Sequence, residues 1–343
     1  MSHSHMGAWL TVNRRCNLRC GWCYARDTGF NSEDMSLGLA NRLISFLKEL
    51  GVQQTILIGG EPTIYPHLFP VIEKLIGCGI TPYLVTNGKR FADKQFSSEL
   101  MATGLKNVSI SIKGADAEQY RTLTGIDCYD DVFEGYRVLR ELGIEPTMSI
   151  TIVSELIPQM ERLLDTLVKK DITAISFDMG SPVIVRDAVS RDGIPNPRQL
   201  AQSCVEIYRF LKSRNSRFNI RVSIPLCLFP DDIRQEMIAS QTIMTCCHIQ
   251  AGQGLIFDQE GRVLPCNHFP SHPLGQFGVD FIDAETFKQF WGGDGVQEFR
   301  NLVRRYPSTI CERCSEWDRC GGGCFLEWLQ FDPATFIRKE VKG

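Results

Sequence analysis

Three cysteines stand within eight residues in the run Cys16-Asn17-Leu18-Arg19-Cys20-Gly21-Trp22-Cys23-Tyr24. Thiolates at that spacing can cap three irons of one [4Fe–4S] cube and leave the fourth iron without a protein ligand. A structural zinc site would want a fourth Cys or His close by, and the following loop has neither. A denser group lies near the end of the chain, Cys311-x2-Cys314-x5-Cys320-x3-Cys324. Between the two groups come Cys246, Cys247 and Cys266, the last of them ending the run Gly261-x4-Cys266. The terminal four also fit a zinc ribbon. Ten of the 14 cysteines fall into these clusters, while Cys78, Cys128, Cys204 and Cys227 are scattered. Cys78 and Cys204 sit in helical patterns and read as buried, inert thiols. Cys227 lies in an irregular stretch before the second cluster.

A disulfide framework is the competing account. Such scaffolds are typically secreted, below about 100 residues and poor in core. Here 343 residues are 43% hydrophobic, and Met1-Ser2-His3-Ser4-His5-Met6 offers neither a basic n-region nor an apolar h-region. A reducing, cytoplasmic setting is therefore expected, where clustered thiols mean metal or catalysis. A net charge of −3 argues against a general binder of nucleic acid or anionic membranes. No apolar run approaches the roughly 20 residues of a membrane span.

The elements that must position these thiols alternate. Strand-type runs at Trp9–Val12, Thr55–Ile58, Tyr83–Thr86, Val108–Ile112, Met148–Val153 and Ala174–Phe177 are separated by helix-type runs such as Leu37–Leu50 and Tyr65–Ile76. Six successive β-α units predict parallel strands with right-handed crossovers, closed or partly closed into a barrel whose chemistry gathers at the strands' C-terminal ends. The connection Pro182–Pro197 is a plausible boundary, followed by one more amphipathic helix to Ser213. From about Cys246 the texture turns to short runs, glycines and cysteines, which predicts a small unit held by metal rather than by a core. At the second strand's end, Gly59-Gly60-Glu61-Pro62 pairs two glycines that admit close backbone approach with a carboxylate that suits an ammonium. A plain strand-to-helix turn is the alternative.

Cysteines spaced CxxxCxxC after a first strand, with GGE after the second, resemble the radical S-adenosylmethionine (SAM) superfamily. The resemblance implies a partial (β/α)6 barrel over residues 1–215 and a [4Fe–4S] cluster on Cys16, Cys20 and Cys23. The open iron of that cluster would be chelated by the amino and carboxylate groups of SAM. Gly59, Gly60 and Glu61 would hold the methionine amino group, and Trp22 would lie against the adenine. Asn87, in Thr86-Asn87-Gly88, and Ser111, in Ser109-Ile110-Ser111-Ile112-Lys113-Gly114, fall where family members contact the nucleoside. Lys113 replaces an Asp found in many relatives. Arg121 would pair with the SAM carboxylate or a substrate acid, unless it is a solvated surface arginine.

The C-terminal cysteines resemble the SPASM/twitch extension of that superfamily, implying a small α/β-appended iron–sulfur domain over residues 216–343. One auxiliary cluster would use Cys247, Cys266 and Cys324, with a fourth ligand from Cys246 or Cys227. A second would use Cys311, Cys314 and Cys320. Its usual last ligand is a later cysteine, which this chain lacks, so Glu327, Asp332 or another group would substitute, or the iron would stay open, or the cluster would be absent. The resemblance implies an oxidoreductase that modifies peptide or protein side chains, with an external flavodoxin- or ferredoxin-like electron donor. Because Cys16 comes so early, a separate leader-peptide recognition protein or a short substrate motif is expected. A small molecule, either an aminoglycoside-like sugar or a tetrapyrrole, is the alternative substrate, and a non-catalytic zinc or iron–sulfur protein the alternative class. Asn267 stands where sulfatase-maturing relatives have a basic Asp, which disfavours formylglycine formation and leaves His268 as the candidate catalytic base.

Overall fold

The computed structural model describes residues 7–25, 33–185, 188–190, 193–245, 247 and 254–337. Cys246 therefore lies outside the described residues. Six strands carry the β-α series: β1 (Gly7–Asn13), β2 (Gln54–Gly59), β3 (Thr81–Thr86), β4 (Asn107–Ile112), β5 (Thr147–Ile152) and β6 (Ala174–Met179). Between them run α1 (Leu37–Glu49), α2 (Leu68–Gly77), α3 (Lys94–Ala102), the pair α4 (Ala117–Thr124) and α5 (Tyr129–Glu141), and α6 (Met160–Lys169). Each neighbouring pair from β1 to β6 is parallel. A short hairpin, β7 (Val183–Val185) with β8 (Ala188–Ser190), leads to α7 (Pro197–Ser213). That helix starts where Asn196 and Gln199 form a capping box around Pro197.

The parallel series continues past the six predicted strands. β9 (Arg217–Arg221) joins β6, and after α8 (Asp231–Ala239) the two-residue β10 (Ile243–Met244) joins β9. At the opposite edge β11 (Gly254–Phe257) runs parallel to β1, followed by the antiparallel β12 (Arg262–Leu264) and β13 (Gly275–Gln276). One sheet of 11 strands thus has the order β10-β9-β6-β5-β4-β3-β2-β1-β11-β12-β13. This is a mixed α/β fold built on an open, mainly parallel sheet.

Strand alternation divides the sheet into two unlike faces. Toward the helices lie Leu10, Leu57, Leu84, Ile110, Ile150, Phe177 and Ile220, all fully buried. On the opposite face a single register row crosses the sheet as Ser111, Ser149, Ser176 and Asn219, each half-buried. That face is therefore polar, with three hydroxyls and one amide in the row.

The region after residue 254 is not held by cysteines alone, as its texture predicted. Phe46 of α1 meets Phe277, Phe281 and Phe287 at centroid distances of 5.2, 5.5 and 5.4 Å, and Phe281 stacks on Phe290 at 5.0 Å. The contacts of Phe46 escaped sequence reading because their partners are more than 200 positions away. No helix among the described residues is long and apolar enough to cross a membrane.

Candidate active site

Gly59 and Gly60 are required first by packing. The β1–β2 register shifts between Thr11 and Asn13, and the chain beyond β1 then presses against the end of β2. Gly60 N donates to Asn13 O at 2.9 Å and Glu61 N donates to Arg15 O at 2.8 Å. A Cβ on Gly59 would meet Asn13 Oδ1 at 2.2 Å, and one on Gly60 would meet Arg15 O at 2.2 Å. The two glycines thus clasp the segment that leads directly into Cys16.

Glu61 is 1% exposed, and its carboxylate ties the ends of β2 and β3 together. Oε1 accepts from Thr63 N at 2.9 Å, Thr63 Oγ1 at 2.6 Å and Thr86 Oγ1 at 2.7 Å. Oε2 accepts from Asn87 N at 2.7 Å. The first oxygen is fully used, while the second keeps a lone pair for a further donor such as an ammonium. The Asn87 side chain reaches across to the cysteine loop, donating from Nδ2 to Asn17 Oδ1 at 2.7 Å. The ends of β1, β2 and β3 are in this way locked around the loop that carries the three thiols. Ser111 sits one strand further, with its Oγ 3.1 Å from that of Ser149.

The loop's thiols fit an iron–sulfur group by chemistry and burial. Cys20 is buried, and Cys16 and Cys23 are half-buried. Leu18 N donates to Cys16 Sγ at 3.3 Å and Ala25 N to Cys23 Sγ at 3.4 Å, the N–H···S contacts that stabilise ligating thiolates. Burial pushes the metal-free Cys16 thiol up to about 12, with Glu61, Cys20 and Cys23 adding to the rise. Burial likewise raises Cys20, against the opposing pull of Lys113. Such thiols remain protonated until iron displaces the proton. Among the described residues no three His, Cys, Asp or Glu side chains gather closely enough for a single metal ion. A cube, held at its corners, keeps its thiolates further apart than one zinc ion would.

A second ring of residues surrounds this loop. The ring of Tyr24 lies 5.7 Å from that of His268, and Tyr24 OH donates to Gly59 O at 3.4 Å. His268 Nδ1 is 3.0 Å from Pro182 O, an acceptor only, so Nδ1 carries the hydrogen and Nε2 the lone pair. Burial holds the imidazole's pKa below its ordinary value, keeping it neutral. Arg14, 2% exposed, donates from Nε to Gln259 Oε1 at 3.0 Å, linking the start of the loop to the β11–β12 turn. Sequence reading missed Arg14 and Tyr24, because neither has a motif apart from its neighbours' cysteines. Trp22 packs half-buried against the core. Arg121 is reached by the solvated alternative: it pairs with Asp127 at 2.7 Å, with the two side chains 61% and 52% exposed.

The C-terminal cysteines form two groups. Cys324 is raised by burial and then by Glu327, Cys247 and Cys266, and Cys247 also bears on Cys266. Cys247, Cys266 and Cys324 thus lie near enough to act on one another electrostatically. Cys311 has Cys320 and Cys314 beside it. Glu327 is buried beside Cys324, in the first group. Asp332 is occupied as a helix cap, its Oδ1 accepting from Ala334 N at 2.9 Å.

A probable GTP 3′,8-cyclase of Methanopyrus kandleri is 29% identical over 191 residues, covering 54% of this chain and 61% of that protein. The GTP 3′,8-cyclase of Thermodesulfovibrio yellowstonii is 30% identical over 143 residues, 40% of this chain and 44% of that one. The chain thus spans less than two thirds of the length of these curated relatives. Among solved structures, anSMEcpe with bound AdoMet and Cp18Cys peptide superposes with a TM-score of 0.72 at 18% identity, covering 93% of this chain and 89% of that one. Streptococcus suis SuiB bound to precursor peptide SuiA gives a TM-score of 0.69 at 17% identity, covering 97% and 75%. These likenesses are of fold. Residues 10–190, more than half of the chain, match the radical SAM superfamily, and the chain belongs to that superfamily.

Proposed function

We propose that this radical SAM enzyme is an oxidoreductase that modifies or cross-links a side chain of a peptide or protein. The superfamily uses a [4Fe–4S] cluster and SAM. When bound, these supply a 5′-deoxyadenosyl radical that takes a substrate hydrogen, and auxiliary clusters in the 216–343 unit supply an exit for electrons. Cys16, Cys20 and Cys23 hold the catalytic cluster. Glu61 Oε2 and the neighbouring backbone receive the methionine amino group, Asn87 and Ser111 flank the nucleoside, and Trp22 backs the adenine. Arg121 is free to exchange Asp127 for a ligand carboxylate at little cost, since exposed ion pairs are worth about 0–1 kcal/mol. His268 Nε2 accepts the substrate proton.

The observation that carries this reading is the gathering of two thiol groups beyond the catalytic loop, on a fold shared with anSMEcpe and SuiB, whose structures hold peptides. A second reading, cyclisation of a nucleotide, is favoured by the GTP 3′,8-cyclase relatives. Against it, the polar row is made of neutral Ser111, Ser149, Ser176 and Asn219, and Arg221 nearby is already paired with Asp178 at 3.4 Å.

The test is anaerobic reconstitution with dithionite and SAM. Wild type releases 5′-deoxyadenosine and Cys20→Ala does not. Deuterium moves into 5′-deoxyadenosine from labelled peptide rather than from labelled GTP. Transfer from GTP alone overturns the peptide reading, and an inert wild type overturns both.

A further inference from the structure

Cys227 has no cysteine neighbour in sequence, yet the fold carries it to the second thiol group. It lies on the short 3-10 turn Leu226–Leu228 that follows β9. Three contacts press this segment against Cys320–Cys324. Leu226 N donates to Cys320 Sγ at 3.3 Å. Cys324 N donates to Ser223 O at 2.6 Å. Gly323, at φ +79°, leaves no space for a side chain, because a Cβ there would come within 2.7 Å of Ser223 O and 3.0 Å of Ile224 Cα. Beyond α8, Thr245 Oγ1 donates to Arg319 O at 2.6 Å, fastening the same two segments a second time. Cys227 also acts electrostatically on Cys311, together with Cys320 and Cys314.

We infer that Cys227 supplies the fourth thiolate of the Cys311, Cys314 and Cys320 set, so that the second auxiliary [4Fe–4S] site is closed by a cysteine upstream of the group rather than by one after Cys324. The inference rests on the auxiliary-cluster reading proposed above. Four thiols lose their protons as the cube binds, and no iron of that cube is left for a substrate. The site is then suited to passing electrons and not to binding peptide. The first set must take its own fourth ligand from elsewhere.

The experiment uses the full chain with Cys16, Cys20 and Cys23 all replaced by Ala, reconstituted anaerobically, so that only auxiliary iron is counted. That background is expected to hold about eight irons. Adding Cys227→Ala lowers the count by about four, or leaves a three-iron cluster with its own EPR signal in the oxidised state. Cys227→Ser, which keeps an oxygen ligand, retains more iron than Cys227→Ala and alters the EPR spectrum of the reduced cluster. Cys311→Ala matches the loss seen for Cys227→Ala, and the buried Cys204→Ala changes nothing. Circular dichroism establishes that each variant is folded. If Cys311→Ala loses its cube while Cys227→Ala keeps the background iron and spectrum, the assignment of Cys227 is wrong and the auxiliary reading stands. If the background holds zinc or no iron, both fail.

Discussion

Lys113 follows β4, and its charge favours the Cys20 thiolate. A cation beside a cluster ligand stabilises the more negative, reduced state of the cube, raising its potential. Lys113→Asp is expected to move the midpoint of the catalytic cluster to lower potential in an EPR-monitored redox titration, and an unchanged or higher midpoint would show that the charge is screened. Glu61 makes a different demand. Glu61→Gln turns one carboxylate oxygen into a donor facing Thr63 or Asn87 donors, and each buried clash of that kind costs about 1–3 kcal/mol. The variant is expected to melt earlier and to bind SAM more weakly by calorimetry, whereas Glu61→Ala that melted like wild type would refute a tie between strand ends. At this scale the sequence was most readable where chemistry is local. The Cys16–Cys23 loop and Gly59–Glu61 are short motifs, while Arg14 and Cys227 act on residues hundreds or tens of positions away and leave no local pattern.

The β-α alternation was legible because each strand buries one face under helices, so β1 to β6 read as apolar runs between helical periods. The outer strands were not. β9 begins and ends in Arg and β10 has two residues, so neither carries enough apolar signal alone. β11 depends on a parallel partner, β1, far away in the chain. The helix Ala284–Gly292 shows how such an element is fixed. Asp283 caps it, accepting from Thr286 N at 2.9 Å, and those bonds hold the carboxyl below its ordinary range. A lowered folded pKa means the contribution is present above the ordinary carboxylate pKa and fades as pH falls through the folded value. Asp283→Ala should therefore lower the melting temperature by a few degrees, roughly as for other lost caps, near neutral pH, with the two curves converging in acid. The same helix brings Phe287 onto Phe281, at 4.9 Å. Truncating Phe281, 1% exposed, to Ala should cost about 3–5 kcal/mol in denaturant unfolding. A cost below about 1 kcal/mol would mean that the aromatic cluster is dispensable.

Taken as a whole molecule, the C-terminal third is secured in two unlike ways, and that contrast can be measured. Residues 254–292 share the main sheet through β11 and bury Phe257, Phe281 and Phe287 against α1. Residues 309–337 have only short helical turns, of four or five residues, around the thiols. Their fully described apolar burial is slight, with Leu326 and Ile337 the aliphatic side chains under 9% exposed. The three glycines between Cys320 and Cys324 all adopt positive φ, a conformation that fits the thiols to the turn after β9 and contributes no packing of its own. Regions with few apolar contacts open at low free energy unless something else ties them. Stripping iron from the reconstituted protein with a chelator should therefore release the two segments unequally. Amide exchange is expected to accelerate across 309–330 and at the Leu226–Leu228 turn, and trypsin to cut first at the exposed Arg313 and Arg319. β11 and the helix Ala284–Gly292 should exchange as slowly as in the loaded protein. Uniform acceleration from 254 to 337 would mean that the metal sites hold the entire region, and no change near Cys311–Cys324 would mean that they hold none of it.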